Sequence, residues 1–315
     1  MDIGSICMLG GSGFVGRAIA DHATERGIRV RVLTRSQPRA RALTVLPTVE
    51  VMVGDPGDEA TLARAFEGMD AAINLIGILH ESRAQSFTAV HAELPRKVAQ
   101  TARASGIRHL VHVSALGASE KAPSRYLRSK AAGEAAVKMS AGVVPWTILR
   151  PSVVFGAGDR FLNVFATLVR LFPVSPLAGA GARFQPIWVE DVARCCLAAL
   201  GNPRAFGQAY DLCGPRVYTL AELVQVVASV LGRRRHVVAL PGPLAGMQAF
   251  VLEHLPGHLM TRDNLRSMSV DNVCSGRLPP MCAFEPAAIE AVLPEYLGAT
   301  AIGARYARYR DQAGR

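Results

Sequence analysis

The sequence predicts an α/β protein: a doubly wound parallel sheet followed by a smaller C-terminal α/β lobe. Three observations predict it. Short apolar runs alternate with stretches of helical periodicity through the first half of the chain. A glycine-rich turn follows the first apolar run. After Pro151 the texture changes, and glycine and proline become frequent. The division expected is residues 1–155 for the first domain and 156–315 for the second lobe, partly interleaved with the sheet.

Taken in order, the candidate strands are Ser5–Leu9, Arg29–Thr34, Glu50–Gly54, Ala71–Ile76, Leu110–Ser114 and Trp146–Leu149. Between them Phe14–Arg26, Glu59–Glu67, Phe87–Ser105 and Tyr126–Ser140 repeat their apolar residues at helical spacing. Strands joined by crossover helices form parallel sheets covered on both faces, which bind ligands beyond the carboxyl ends of the strands. In the second half Val189–Leu200 and Leu220–Leu231 read as helices stopped by Gly201 and Gly232. The stretch Pro243–Leu255 is bounded by prolines and carries Leu244, Met247, Val251 and Leu255 on one face. It reads as a lid, a membrane-touching helix or, the commoner case, a helix packed on the core. No internal repeat is present.

Composition narrows the classes. With 315 residues, 50% hydrophobic and 19% charged, the chain can bury a large core, and intrinsic disorder is excluded. The stretch from His236 to Leu252 lacks Asp, Glu, Lys and Arg but holds two prolines and two glycines. It falls short of the roughly 18 apolar residues of a membrane span. The apolar strand begins at Ile6, leaving no room for a cleavable targeting segment, so a cytoplasmic protein is expected. The six cysteines show no C-x-x-C pair, which predicts small buried thiols in a reducing compartment. The net charge of +10 rests on arginine, with lysine only at Lys97, Lys121, Lys130 and Lys138. Aromatic residues are 6% and the one dense basic run is Arg233-Arg234-Arg235-His236, so no nucleic-acid partner is expected.

Two motifs carry chemistry. The first, Gly10-Gly11-Ser12-Gly13-Phe14-Val15-Gly16, follows an apolar strand and opens an amphipathic helix. Glycines there permit a tight turn and let backbone N–H groups approach a pyrophosphate at the helix N-terminus, the dinucleotide-binding arrangement of a Rossmann sheet. The second strand ends Leu33-Thr34-Arg35-Ser36 with no acid for a ribose, and Arg39 and Arg41 lie nearby. A guanidinium suits a 2′-phosphate through bonds worth about 1.5–3 kcal/mol, roughly ten- to a hundred-fold in affinity. NADP(H) is therefore expected in preference to NAD(H). Asp55 either meets the adenine or caps the following helix.

The second motif, Tyr126-Leu127-Arg128-Ser129-Lys130, sets a phenol and an ammonium four residues apart on one helix face. A free phenol titrates near pH 10, and a neighbouring cation is expected to lower that value for acid–base work. Ser114, at the end of the fifth strand, would hold a substrate carbonyl beside Tyr126. The catalytic set read from the sequence is Ser114, Tyr126 and Lys130, with no metal site.

These motifs, with Val113–Ala118, resemble the short-chain dehydrogenase/reductases. Leu149-Arg150-Pro151-Ser152-Val153-Val154-Phe155-Gly156 and Gln185–Ala193 are similar to their extended branch. More narrowly, Ser124–Lys130, Thr261–Leu265, Val270–Val273 and Leu293–Leu297 resemble the atypical group around the alpha-subcomplex subunit 9 of NADH:ubiquinone oxidoreductase, complex I. The resemblance covers nearly the whole chain. It implies NADPH, held also by Ile76 and Gly77 at the end of the fourth strand and by Pro151 and Val153 after the sixth. Two roles follow from it: an oxidoreductase acting on a carbonyl or quinone-related substrate, or a cofactor-bound accessory protein of the respiratory complex or its assembly. A sugar-nucleotide epimerase is a lesser alternative. Peripheral association with the inner membrane or with complex I is implied, and a bacterial stand-alone member fits better than a mitochondrial one. One departure stands out: His91 occupies the place where extended relatives carry an asparagine that supports a relay water. It relays protons or simply packs.

Overall fold

The computed structural model describes residues 1–254 and 260–298. The chain divides into two compact units. The first comprises Met1–Pro151, Val189–Leu212 and Gly276–Phe284; the second takes Ser152–Trp188, Cys213–Ser275 and the chain from Glu285.

The first unit is the parallel sheet. Its elements run β1 (Ser5–Leu9), α1 (Phe14–Glu25), β2 (Arg29–Thr34), α2 (Gln37–Ala40), β3 (Val49–Val53), α3 (Glu59–Phe66), β4 (Ala71–Asn74), α4 (Leu94–Ala104), β5 (His109–Val113), α5 (Arg125–Ser140) and β6 (Trp146–Pro151). The six strands and most helices expected from periodicity form with ends shifted by one or a few residues. In the sequence α4 reads as one helix from Phe87; the chain instead enters it through a π-helical turn at Ala89–Glu93. After the second unit's first segment, whose elements are β7 (Val154–Phe155), α6 (Phe161–Leu171), β8 (Val174–Leu177), β9 (Arg183–Phe184) and β10 (Ile187–Trp188), the chain returns with α7 (Val189–Ala199) and β11 (Gln208–Leu212). The strand β11 is a seventh member that the periodicity did not reveal. The order is β11-β6-β5-β4-β1-β2-β3, every neighbour parallel.

Outward from β1 the order runs one way through β2 and β3 and the other through β4, so the chain reverses beside β1, where a doubly wound sheet opens its ligand crevice. All five residues of β1 are buried, as a central strand covered on both faces requires. One face packs Leu62, Phe66, Val98, Ala102 and Val137 against Leu9, Leu33 and Leu110. The helix α5 is fixed to β6 by Arg150, whose Nε and Nη2 donate to the two oxygens of buried Glu134.

The second unit completes with β12 (Tyr218–Thr219), α8 (Leu220–Val230), β13 (His236–Ala239), α9 (Gly242–His254), α10 (Arg262–Ser267) and α11 (Ile289–Leu297). Three two-stranded ladders, β7–β10, β8–β13 and β9–β12, frame a core of Phe155, Leu162, Val169, Phe184, Leu223, Val227 and Leu293.

The cysteines depart from the expectation of six thiols. Cys195 is joined to Cys282 within the first unit and Cys213 to Cys274 within the second, while Cys7 and Cys196 are free and buried. Partners separated by 87 and 61 residues have no local spacing to reveal them. Burial pushes both free thiols up to about 12, which leaves them unreactive.

Candidate dinucleotide and acid–base site

The glycine loop joins β1 to α1, and each glycine is there because a side chain would not fit. Gly10 takes φ of +80°, a region closed to most side chains, and a Cβ on it would press on Ile76 at 3.2 Å. A Cβ on Gly11 would stand 3.0 Å from Val32 of β2, and one on Gly16 would overlap the backbone of Gly11. The start of α1 therefore lies directly on the loop. Gly13 caps α1 with no side-chain partner, so its first turn faces outward with backbone donors, as a bound pyrophosphate needs. Ser12 is not a bystander: its hydroxyl meets that of Thr34 at 3.1 Å and ties the loop to the end of β2. Phe14 and Val15 open α1, half-buried.

Arg35 follows β2 directly and is exposed. With the Gln85 amide turned to present its oxygen, that oxygen accepts from Arg35 Nη1 at 2.9 Å and Nη2 at 3.1 Å. The guanidinium is thus aimed by the loop after β4, and it retains further donors. Two neighbours add to the cationic end of the crevice. Arg39 stands on α2, and Arg17, which the sequence reading passed over, reaches the Arg39 carbonyl from α1 at 3.4 Å. The alternatives for Asp55 resolve in part, because Asp58 is the residue that caps α3, accepting from the Thr61 N–H at 2.9 Å. Asp55 is exposed and accepts from the Gly57 N–H in a local turn.

The residues expected to do acid–base work gather near the ends of β4 and β5. Ser124 caps α5 by accepting from the Leu127 N–H, so Tyr126 and Lys130 occupy the first turns of that helix on one face. Lys130 is buried and its ammonium donates to the Val113 carbonyl at 2.8 Å. A Cβ on Gly77 would lie 3.8 Å from that nitrogen, which places Gly77 over it. Ile76, half-buried, donates its N–H to Asn74 Oδ1. Ser114 sits just past β5, its backbone N–H on the Leu149 carbonyl, and its buried hydroxyl has no hydrogen-bond partner among the described residues. A buried hydroxyl left unpaired costs stability unless a bound group satisfies it. Pro151 is buried at the end of β6, its carbonyl accepting from the Leu116 N–H. Val153 belongs to the second unit, where its N–H donates to Asn272 Oδ1 at 3.1 Å.

Charge states here are governed by desolvation. Burial pulls Lys130 down to about 8, opposed only by Glu134. Burial also pushes the Tyr126 phenol up to about 12. This corrects the expectation that Lys130 lowers the phenol: the ammonium donates to the Val113 carbonyl, and desolvation of the phenol dominates. The Tyr126 ring lies among Phe87 and His91, with centroids 6.0 and 5.6 Å away. His91 uses both ring nitrogens. Its Nε2 accepts from the Ile78 N–H at 2.9 Å, so Nδ1 carries the proton and meets Ser129 Oγ at 2.8 Å; Ser129 in turn donates to the Tyr126 carbonyl. Burial and Lys130 hold this imidazole neutral, down to about 3. A ring so occupied positions the start of α5 and has no free nitrogen for relay. Beneath it His112 is buried and neutral, its Nδ1 beside the Asn74 amide at 3.2 Å.

A family model described as NAD(P)H-binding matches residues 10–203. The chain belongs to this family, the atypical short-chain dehydrogenase/reductases. Within it, the chain is 33% identical over 284 residues to the NADH dehydrogenase [ubiquinone] 1 alpha subcomplex subunit 9 of Arabidopsis thaliana, covering 85% of this chain and 70% of that protein. It is also 33% identical over 243 residues to a ceramide reductase of Caulobacter vibrioides, covering 76% and 74%. In fold, this NAD(P)H-binding protein is similar to an NADPH-dependent quinone oxidoreductase from Escherichia coli, with a TM-score of 0.72 and 19% identity over 91% of this chain and 97% of the other. Among the described residues no cluster of ligating side chains could hold a metal ion, and no helix is long and apolar enough to cross a membrane.

Proposed function

We propose that the chain is an NADPH-dependent oxidoreductase that acts on a carbonyl or quinone-related substrate in a setting linked to respiratory complex I or quinone metabolism. The observation that carries this reading is the unpaired Ser114 hydroxyl, buried at the strand ends that also hold Tyr126 and Lys130. A substrate oxygen bound there would satisfy that hydroxyl and offset the cost of its desolvation. The glycine loop accommodates a dinucleotide pyrophosphate, and Arg35 with Arg17 and Arg39 supports the 2′-phosphate of NADPH over NADH.

NADPH, when held by the glycine loop and the cationic end of the crevice, would supply a hydride. Ser114 donates to the substrate oxygen and orients it. Tyr126, a phenol that stays protonated at neutral pH, gives its proton to that oxygen as negative charge develops there during reduction. Lys130 stabilises the phenolate left behind and is available to ribose hydroxyls once it leaves the Val113 carbonyl. His91 and Ser129 hold the Tyr126 backbone and keep the phenol in place.

A second reading rests on the relatives named as complex I subunits: a non-catalytic, NADPH-bound accessory or assembly protein. The Tyr126→Phe variant separates the two, because it keeps the ring and removes one hydroxyl. Under the first reading purified wild type oxidises NADPH with quinones or small carbonyls, and the variant loses about 10²–10⁴ in rate with its NADPH affinity unchanged. If the variant restores NADH-driven oxygen uptake as well as wild type in membranes of a host lacking the gene, the accessory role is the correct one.

A further inference from the structure

The segment that leads from β4 towards α4 holds Arg35 through an amide. Its backbone closes on itself at Ser82 and Gln85: the Ser82 N–H donates to the Gln85 carbonyl at 2.9 Å, and the Gln85 N–H to that of Ser82 at 3.3 Å. Glu81 anchors the segment beside this turn. One of its oxygens accepts from the Phe87 N–H at 2.8 Å, and the other meets Arg125 Nη2 at 2.8 Å, at the first residue of α5. Gln85 is therefore set by its own turn and by a neighbour tied to a helix, and it is half-buried.

The Gln85 amide oxygen takes Nη1 and Nη2 of Arg35 and so fixes the tip of that side chain. The backbone at its root is fixed as well. The Ser36 N–H donates to Thr34 Oγ1 at 3.3 Å, and the same hydroxyl meets Ser12 of the glycine loop. Other arginines of the first unit are held by carboxylates, Arg31 by Glu50, Arg108 by Asp70 and Arg150 by Glu134. Arg35 makes no ion pair among the described residues. A neutral acceptor orders the guanidinium and leaves its charge whole, and Nε–H with one hydrogen of Nη2 still forms a fork. A carboxylate in the same place would order it equally and offset the charge.

We propose that Gln85 is a positioning residue that sets cofactor choice: it holds Arg35 ready for a ribose 2′-phosphate and leaves that phosphate the Nε–Nη2 edge. The inference rests on the NADPH reading above. Its physical basis is pre-organisation. A free arginine side chain is among the costliest to order, and one already held loses less freedom when the phosphate arrives. A dinucleotide that lacks the 2′-phosphate gains nothing from this, so the effect falls on the ratio of the two affinities. The amide oxygen is a poor competitor for the phosphate, because it engages the Nη1–Nη2 end and leaves the side edge of the guanidinium open.

The test is calorimetric titration of the full-length protein with adenosine 2′,5′-bisphosphate and with adenosine 5′-phosphate, a pair that differs only in the 2′-phosphate and requires no turnover. Wild type is expected to prefer the bisphosphate. Gln85→Ala should bind it about three- to ten-fold more weakly with the affinity for adenosine 5′-phosphate unchanged. Gln85→Glu keeps an acceptor on Arg35 but adds a like charge beside the phosphate, and should lose at least about tenfold. In an Arg35→Ala background the Gln85→Ala change should have no further effect, which a role in folding alone would not produce. Melting temperatures show that each variant folds. A wild type that binds both probes equally overturns the NADPH reading itself. A wild type that prefers the bisphosphate, with Gln85→Ala showing the same ratio or a tighter bisphosphate, leaves that reading standing and overturns the role of Gln85 alone.

Discussion

The glycine loop and the floor around Lys130 belong to one unit and sit at neighbouring strand ends, yet they are made of opposite materials. At the loop the recognition elements are backbone groups, and side chains are excluded by van der Waals contact with Ile76, Val32 and Gly11. Around Lys130 the elements are side chains, and their charge states are fixed by burial: a phenol kept protonated, an ammonium made easier to deprotonate, and two imidazoles kept neutral. The difference teaches that affinity for a dinucleotide is encoded in what the chain leaves out, while its chemistry depends on how far the fold removes polar groups from water.

This contrast can be broken at the loop first. Gly16→Ala places a methyl group on the Gly11 backbone, which cannot move aside as a flexible side chain could. The expected cost is several kcal/mol of stability, in the range of overpacked sites, with dinucleotide affinity down at least about a hundredfold. Chemical denaturation and NADPH titration measure the two. An alanine variant that binds normally would show that the close approach of α1 to the loop is dispensable.

A smaller effect is expected at the cationic end. Arg35→Asp should reverse or erase the proposed preference for NADPH over NADH, a change of roughly ten- to a hundred-fold in the affinity ratio. Affinities measured for both cofactors decide it, and an unchanged ratio assigns the 2′-phosphate elsewhere.

The floor is sharpened by pH. His91 and His109 are held neutral down to about 3 and 4, and His112 to a value well below the ordinary one, because each is buried. The His109 nitrogens are also spoken for, Nδ1 accepting from the Gly201 N–H and Nε2 meeting Thr147 Oγ1. Below about pH 6.5 the unfolded chain binds protons at these residues and the folded chain does not. Stability is therefore complete above that pH and is lost as pH falls, by up to about 1.4 kcal/mol per unit for each histidine. Denaturant melts at pH 7 and pH 5 should show this fall, and His109→Asn should make it shallower. A flat profile would mean that the three rings gain protons in the folded state.

Much of this was legible in the sequence. The parallel sheet, its first six strands and the crevice beside β1 follow from apolar runs of strand length alternating with helical periodicity, because a strand buried on both faces must be apolar throughout. The glycine loop and the Tyr126–Lys130 pair were readable for the same reason: each is a local spacing, set by one turn or by one face of one helix. The β11 strand was missed because Gln208-Ala209-Tyr210-Asp211-Leu212 is a mixed-polarity segment, paired on one side only at the sheet edge.

What the tertiary structure alone decided are the quantities that depend on residues far apart in the chain. It paired Cys195 with Cys282 and Cys213 with Cys274. It also bound His91 to Ile78 and Ser129, leaving the ring a brace. It raised Tyr126 where the neighbouring lysine suggested a lowered value, because spacing along a helix reports which groups are near and not how much water reaches them. And it turned Leu244, Met247, Phe250 and Val251 outward, since periodicity marks an apolar face and only packing says whether anything covers it.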